Sequence, residues 1–372
     1  MTPSLQDARL RQLSDKGVNV VDPRQTFLDD DVDLDRVFPE AILFPGTRLA
    51  GRKTLVGPRA KIGSEGPATV IESVIGESAE IASGYVTGSV LLTKARIGAN
   101  GHVREGTLLE EEASTAHAVG LKQTVLMSFV TLGSLINCCD CLVSGGRSRS
   151  NHTEVGSGFI HFNFTPWGES GDKATASLFG GVPDGVFLRE ERIFIGGSSG
   201  MVGPTRIGFG SFTTAGQVIR SDVATKRIRS ESQREVDAPW GFAAPRKAAD
   251  RVERNLEYIG HLVALQAWYR RMRKARVPDD DVSLPQRLTL DAAIALLDGN
   301  IAERWVRLGQ FLGQPLPPIK LPAIDCPLQL NSDSGPHISW VKNLSPEEIA
   351  SGRRWLQDTV DAVVIANRPS VG

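Results

Sequence analysis

From about Leu43 to Val223, apolar and small residues recur every six positions. An aliphatic residue is followed by Gly or another small residue, two variable positions, a small residue and one more variable position. Val56-Gly57-Pro58-Arg59-Ala60-Lys61 runs into Ile62-Gly63, and Ile75-Gly76-Glu77-Ser78-Ala79-Glu80 into Ile81-Ala82. Ile97-Gly98-Ala99-Asn100-Gly101-His102 runs into Val103, and Val155-Gly156, Ile195-Gly196 and Ile207-Gly208 continue the register. So short and persistent a period predicts a parallel β-helix.

A plain strand alternates its side chains between two faces, so a period of six requires a corner in each unit. The aliphatic residue points inward and stacks on its equivalents above and below. The small residue turns the corner without filling the narrow interior, and Gly and Asn at corners tolerate positive φ. Three units make a triangular coil of roughly eighteen residues, giving on the order of ten coils. Coils stack about 4.8 Å apart. The spacing alone does not fix the hand. Insertions near Gly66-Pro67 and over 144–150 interrupt the count, as loops leaving a coil would. A β-sandwich would instead show turn signals at longer intervals and no aliphatic-Gly register.

The flanks read differently. The expected division is an N-terminal cap over 1–39, the β-helix over 40–223 and an α-helical tail over 224–372. Residues 4–16 suit a short helix capped by Ser4, with Leu5, Ala8, Leu10 and Leu13 as an incomplete apolar stripe. Asp29-Asp30-Asp31-Val32-Asp33 reads as a solvated acidic connector. From about Lys247 to Lys274 the period becomes helical, with Val252, Leu256, Ile259 and Val263 on one face. A second helix is expected over 290–313. A third starts at Ser345-Pro346-Glu347-Glu348, a capping box with proline at the first position. The segment 314–344, with several prolines, is expected to be extended on the surface. Open end coils of a solenoid invite aggregation, so both flanks are natural end caps. The tail suits an oligomer contact or partner platform equally well.

Composition excludes some functions. With 372 residues and a formal net charge of −1, nothing steers the chain toward nucleic acid or an anionic membrane. Apolar runs are too short for a membrane span and the start lacks a signal-peptide core, so a cytoplasmic location is expected. Cys138, Cys139 and Cys141 crowd together and Cys326 stands alone, which suits buried wall residues better than a zinc quartet. No metal is expected.

The run Val155-Gly156-Ser157-Gly158-Phe159-Ile160-His161-Phe162-Asn163-Phe164, then Lys173, Ile193–Gly197, Gly203-Pro204 and Ala215-Gly216, resembles the left-handed β-helix of bacterial glucosamine-1-phosphate acetyltransferase. That domain also forms half of the bifunctional UDP-N-acetylglucosamine pyrophosphorylase. Gly120–Gln123, Ser128–Ser134 and His161–Pro166 look more like stand-alone proteins carrying the pyrophosphorylase label. The resemblance covers about half the chain. It implies a left-handed, trimeric solenoid using acetyl-CoA or another acyl-CoA. The family's Asn-Tyr pair reads Asn163-Phe164 here, its cofactor-contacting serine is Gly197, its alanine is Ala215, and its basic residue is matched by Lys173. The family's catalytic histidine is matched by Ser128. A uridylyltransferase needs a phosphate loop within a large α/β domain; about forty residues precede the first hexapeptide, and Pro45-Gly46-Thr47-Arg48-Leu49 echoes such a loop only faintly. The chain alone is therefore not expected to make UDP-sugars.

Acyl transfer needs a base and oxyanion donors. His152, beside the insertion loop, His117 and His161 are the candidate catalytic histidines. His161 falls in the inward phase, where a buried role is the blander reading. Lys122, Arg147, Arg149 and Lys173 suit a phosphate or carboxylate, or simply a solvated basic loop. Trp167 suits stacking on a sugar or packing between coils. Asn163, Phe164, Gly197 and Ala215 are the candidate cofactor residues. Zinc between subunits, as in γ-type carbonic anhydrases, finds no matching motif. The leading expectation is acyl transfer from a CoA thioester to a sugar-phosphate, nucleotide-sugar or similar acceptor. The site would lie in grooves between subunits of a homotrimer, where loops 145–152 and 163–175 meet a neighbour. The alternative is a non-catalytic sugar-nucleotide-binding or scaffold subunit beside a separate nucleotidyltransferase.

Overall fold

The computed structural model describes residues 5–166, 171–231, 235, 237, 239, 248–329 and 335–369. Ser4 and Trp167, singled out in the sequence, lie outside them. The chain winds into a parallel β-solenoid with three faces. The first face is a sheet of eleven short strands, one per coil, from Asn19–Val20 to Ile228–Arg229. The second and third faces share a larger sheet, because Gly120–Leu126 and Asn137–Val143 run unbroken round the edge between them. The all-β solenoid with a C-terminal helical extension is the fold the repeat implies.

Inward positions stack in register. On the first face Leu43 pairs with Ile62, Ile62 with Ile81, and Ile81 with Ile97. All four are fully buried in one apolar column. Where a glycine follows the inward aliphatic, it is required for clearance. A Cβ on Gly133, Gly156 or Gly196 would stand 2.7, 2.5 or 2.4 Å from a backbone nitrogen of the next coil. At the corners positive φ is adopted by Gly, by Asn100 and by other residues that are not β-branched. Arg59, Glu112 and Leu135 adopt it at 59°, 58° and 59°. The ladders on either side fix these corners and override the local steric cost.

Among the described residues there are six α-helices: α1 (Leu5–Asp15), α2 (Val182–Gly185), α3 (Ala248–Trp268), α4 (Leu284–Leu312), α5 (His337–Asn343) and α6 (Pro346–Asn367). Helix α1 buries Leu10 and Leu13 against the first coils. The acidic connector is partly engaged: Asp29 pairs with Arg48 at 2.9 Å, and Asp31 accepts the Gly51 N–H at 3.0 Å. In α3 the stripe Val252, Leu256, Ile259 and Val263 is buried. Helix α6 begins with the capping box of Ser345 and Glu348.

Of the roles the sequence left open for the tail, an end cap is not what the packing shows. The outward residues of the third face form an apolar ladder: Leu55, Val74, Val90, Leu108, Val125, Leu142 and Leu178. They share one buried cluster with α3, α4 and α6. The tail therefore lies along a side of the prism. Water would otherwise meet a continuous apolar stripe, and area burial supplies the driving force for docking.

Candidate functional site

The tail closes the third face, leaving the first and second faces and the edge between them. Along that edge the register places one residue per coil two positions beyond the inward residue. Thr115 pairs with Leu132, Leu132 with Val155, Val155 with Ile195 and Ile195 with Thr213. The residues two positions on are His117, Ser134, Ser157, Gly197 and Ala215, which form a single column. Three of the sequence-selected residues, from separate stretches of chain, thus share one edge. At a rise of about 4.8 Å per coil the column spans about 19 Å.

Its upper end is polar. His117 is exposed, and its Nδ1 lies 3.0 Å from Ser134 Oγ. The Ser134 N–H donates to Ser157 Oγ at 3.0 Å. In the tautomer that donates Nδ1–H to Ser134, the Nε2 lone pair faces solvent, and among the described residues Nε2 has no partner. The lower end is bare backbone: Gly197 carries no side chain, Ala215 is exposed, and a Cβ on Gly216 would meet nothing within 4 Å. Apolar residues flank the edge. Phe194 and Phe212 stack at 5.2 Å on the first face; Ile160 and Phe162 are 44% and 40% exposed on the second. Leu135, beside Ser134, is 64% exposed. Ser134 and Ser157 were not selected from the sequence. Their signal is the repeated Gly-Ser after Leu132 and Val155, the phase that carries His117 one coil earlier.

The other candidates lie elsewhere. His152 sits in a hairpin pairing Gly146–Ser148 with Asn151–His152, its Nδ1 2.7 Å from the Arg149 carbonyl oxygen. Nδ1–H therefore donates to that carbonyl, and Nε2 stands 3.8 Å from Glu154. Arg149 anchors the hairpin: its Nη1 donates to the carbonyls of Glu112 and Phe129 at 2.9 and 3.1 Å. Arg147 is exposed on the same hairpin. Lys122 is tied to Glu105 at 2.6 Å. Asn163 donates to Asp140 Oδ2 at 2.8 Å, and Phe164, 48% exposed, packs over Gly171. Lys173 lines an open cleft of about 820 Å³ against Trp305, Arg307 and Phe311 of α4.

His161 is placed inside the solenoid, 3% exposed, with Nδ1 2.6 Å from the Cys139 carbonyl and Nε2 2.8 Å from Ser177 Oγ. Burial lowers its pKa to about 4. With both nitrogens engaged, it has no atom to offer a reactant. Ser128 is also buried, its N–H donating to Glu110 at 3.1 Å beneath Tyr269 and Arg273 of the tail. The corner to which the resemblance assigns the base is thus sealed. Among the described residues there is no cluster of three metal-ligating side chains, and no helix is long and apolar enough to cross a membrane.

Fold and repeat define a parallel β-solenoid built on a six-residue repeat, resembling the acetyltransferase domain named above. The bifunctional protein GlmU of Fervidobacterium nodosum is 29% identical over 227 residues, 61% of this chain and 44% of its own length. The GlmU of Mycobacterium sp. strain KMS is 27% identical over 255 residues, 66% of this chain and 46% of its own. The chain thus spans less than half the length of these curated relatives. Among solved structures, LpxA from Acinetobacter baumannii covers 69% of this chain and 97% of its own at 15% identity, with a TM-score of 0.29. No family model matches the chain.

Proposed function

We propose that the chain is an acyltransferase that holds a CoA thioester lengthwise along the column from Ala215 to His117. The groove would be completed by a second copy in a homotrimer. The observation carrying this reading is that single column, with an exposed histidine at one end and only the small exposed Ala215 at the other. The residues suit such a ligand. Ala215 and Gly216, both exposed, leave room for close approach to backbone, and the column is long enough for an extended pantetheine arm. The flanking Phe194, Phe212 and Ile160 offer apolar surface to a neighbour.

His117 then serves as general base. Its Nε2 takes the proton of the acceptor's amine or hydroxyl as that group attacks the thioester carbonyl. The C–S bond breaks, and the departing thiolate takes up a proton. Ser134 holds the imidazole through Nδ1. Acceptors of the sugar-phosphate or nucleotide-sugar class are expected from the resemblance. His152 supports a second reading, in which it supplies the base, because the Arg149 carbonyl fixes its tautomer for that role.

Two measurements test this. CoA should raise the melting temperature, since a ligand that binds only the folded state stabilises it. His117→Ala should lower acyl transfer by about 10²–10⁴-fold. Loss only in His152→Ala would transfer the role. A melt shifted by a UDP-sugar and not by CoA would contradict acyl transfer and favour the binding subunit.

A further inference from the structure

Between α4 and α5 the tail runs without helix or strand over 314–329. Its first part reads Gln314-Pro315-Leu316-Pro317-Pro318-Ile319-Lys320-Leu321-Pro322. Proline fixes φ near −65° and removes an N–H, so a chain this rich in it cannot build a ladder. Among the described residues no backbone hydrogen bond joins members of 315–322 to one another. Burial here repeats every three residues. Leu316, Ile319 and Pro322 are half-buried, and the pairs between them, Pro317-Pro318 and Lys320-Leu321, are exposed. Three residues per turn without internal hydrogen bonds is the polyproline II helix. Beyond Pro322 burial alternates every second residue, so the helix ends there.

One edge of this helix is docked. Leu316 and Ile319 pack on the apolar cluster shared by α3, α4 and α6. The backbone is pinned at two points. Trp305 Nε1 donates to the Pro317 carbonyl at 2.8 Å. The Lys320 N–H donates to Asn367 Oδ1 at 2.7 Å, and Asn367 Nδ2 donates back to the Lys320 carbonyl at 2.8 Å. The other two edges face water: Pro315, Pro318 and Leu321 on one, Gln314, Pro317 and Lys320 on the other. Leu321 is 51% exposed. Lys320 is the single charge in 314–321, and its ammonium has no partner among the described residues. At about 3.1 Å per residue the ridge from Pro315 to Leu321 is about 19 Å long.

We propose that residues 314–321 are a preformed proline-rich ligand for a partner protein domain whose groove is lined by aromatic rings and edged by carboxylates. Pro315 and Pro318, one turn apart, seat between the rings, and Lys320, two residues on, meets the carboxylates. Charge selects this partner, since a groove without carboxylates would leave the ammonium unpaired. A sheet edge is the wrong partner: the prolines offer no N–H, and that of Lys320 is taken by Asn367. Because the docked edge and the two pins already hold the conformation, binding orders little further chain. The proposal does not involve the acyl-transfer edge.

The probe is an SH3 domain with carboxylates beside its aromatic groove, isotope-labelled and titrated with the full chain while its amide shifts are followed by NMR. Saturable shifts confined to that groove are expected. The double variant Pro315→Ala/Pro318→Ala and the single variant Lys320→Glu should each weaken binding at least about tenfold, a difference of about 1.4 kcal/mol. Pro327→Ala, exposed but beyond the ridge, should leave it unchanged. Melting temperatures equal to wild type show that the variants fold. A free peptide of residues 313–323 should bind more weakly than the folded chain, because it must be ordered. No binding by the full chain, shifts outside the groove, or binding undiminished in both ridge variants would overturn the proposal. A peptide that binds as tightly as the chain would contradict the preformed ridge.

Discussion

Burial fixes the charge state of His161. Its ring is held between the Cys139 carbonyl and Ser177 Oγ, and its pKa is lowered to about 4 by desolvation. His261 is lowered likewise, and its Nδ1 accepts the Val182 N–H at 3.2 Å, which a protonated ring could not do. An unfolded histidine titrates near 6.5, so between that value and about 4 the unfolded chain binds the extra proton. The stability tied to His161 is therefore complete above about pH 6.5 and is lost as pH falls toward 4, with a ceiling of about 3 kcal/mol. Wild type and His161→Gln should be compared by urea denaturation at about pH 7.5 and about pH 5. The stability gap should narrow in acid; a constant gap would mean that the buried ring is not the titrating group. His161 was legible as an inward residue from its distance to Val155. Its partners were not, because Cys139 lies in the neighbouring coil and Ser177 on another face of the same coil, beyond the insertion.

At the scale of elements, three faces built from one repeat have different fates. The first face places Lys61, Glu80, Arg96 and Glu154 immediately before its inward aliphatics, and these point to water. The third face has apolar pairs at the same phase: Leu55-Val56, Val74-Ile75, Val90-Leu91, Leu108-Leu109, Val125-Leu126 and Leu142-Val143. The first member of each pair lies under the tail. Leu108→Ala should cost about 2–5 kcal/mol, as in a true core. Lys61→Ala, at the outward phase of the first face, should stay within about 0.5 kcal/mol. Equal costs in urea denaturation would contradict the covered face. These pairs were visible in the sequence as a period with two apolar residues where one suffices. The solenoid was legible because its register is local. The docking of the tail was not, because contacts such as Tyr269 with Glu110 join residues far apart along the chain.

For the whole molecule, covering one side of the prism directs function to the remaining surface. The corner holding Ser128 is closed by Tyr269 and Arg273. The edge from His117 to Ala215 remains open, with exposed apolar residues on both flanks. The resemblance supplied Gly197 and Ala215, and the search for a base supplied His117. Only the strand pairing stacks them, since the insertion between Val155 and Ile195 hides the common phase. Hydrogen exchange of the full chain with and without saturating CoA tests this placement most directly. The account predicts slowed exchange at the edge segments 116–118, 133–135, 157–158, 197–199 and 215–217, with the hairpin 146–152 and the α4 cleft unchanged. Protection confined to those other regions, or none at saturation, would contradict it.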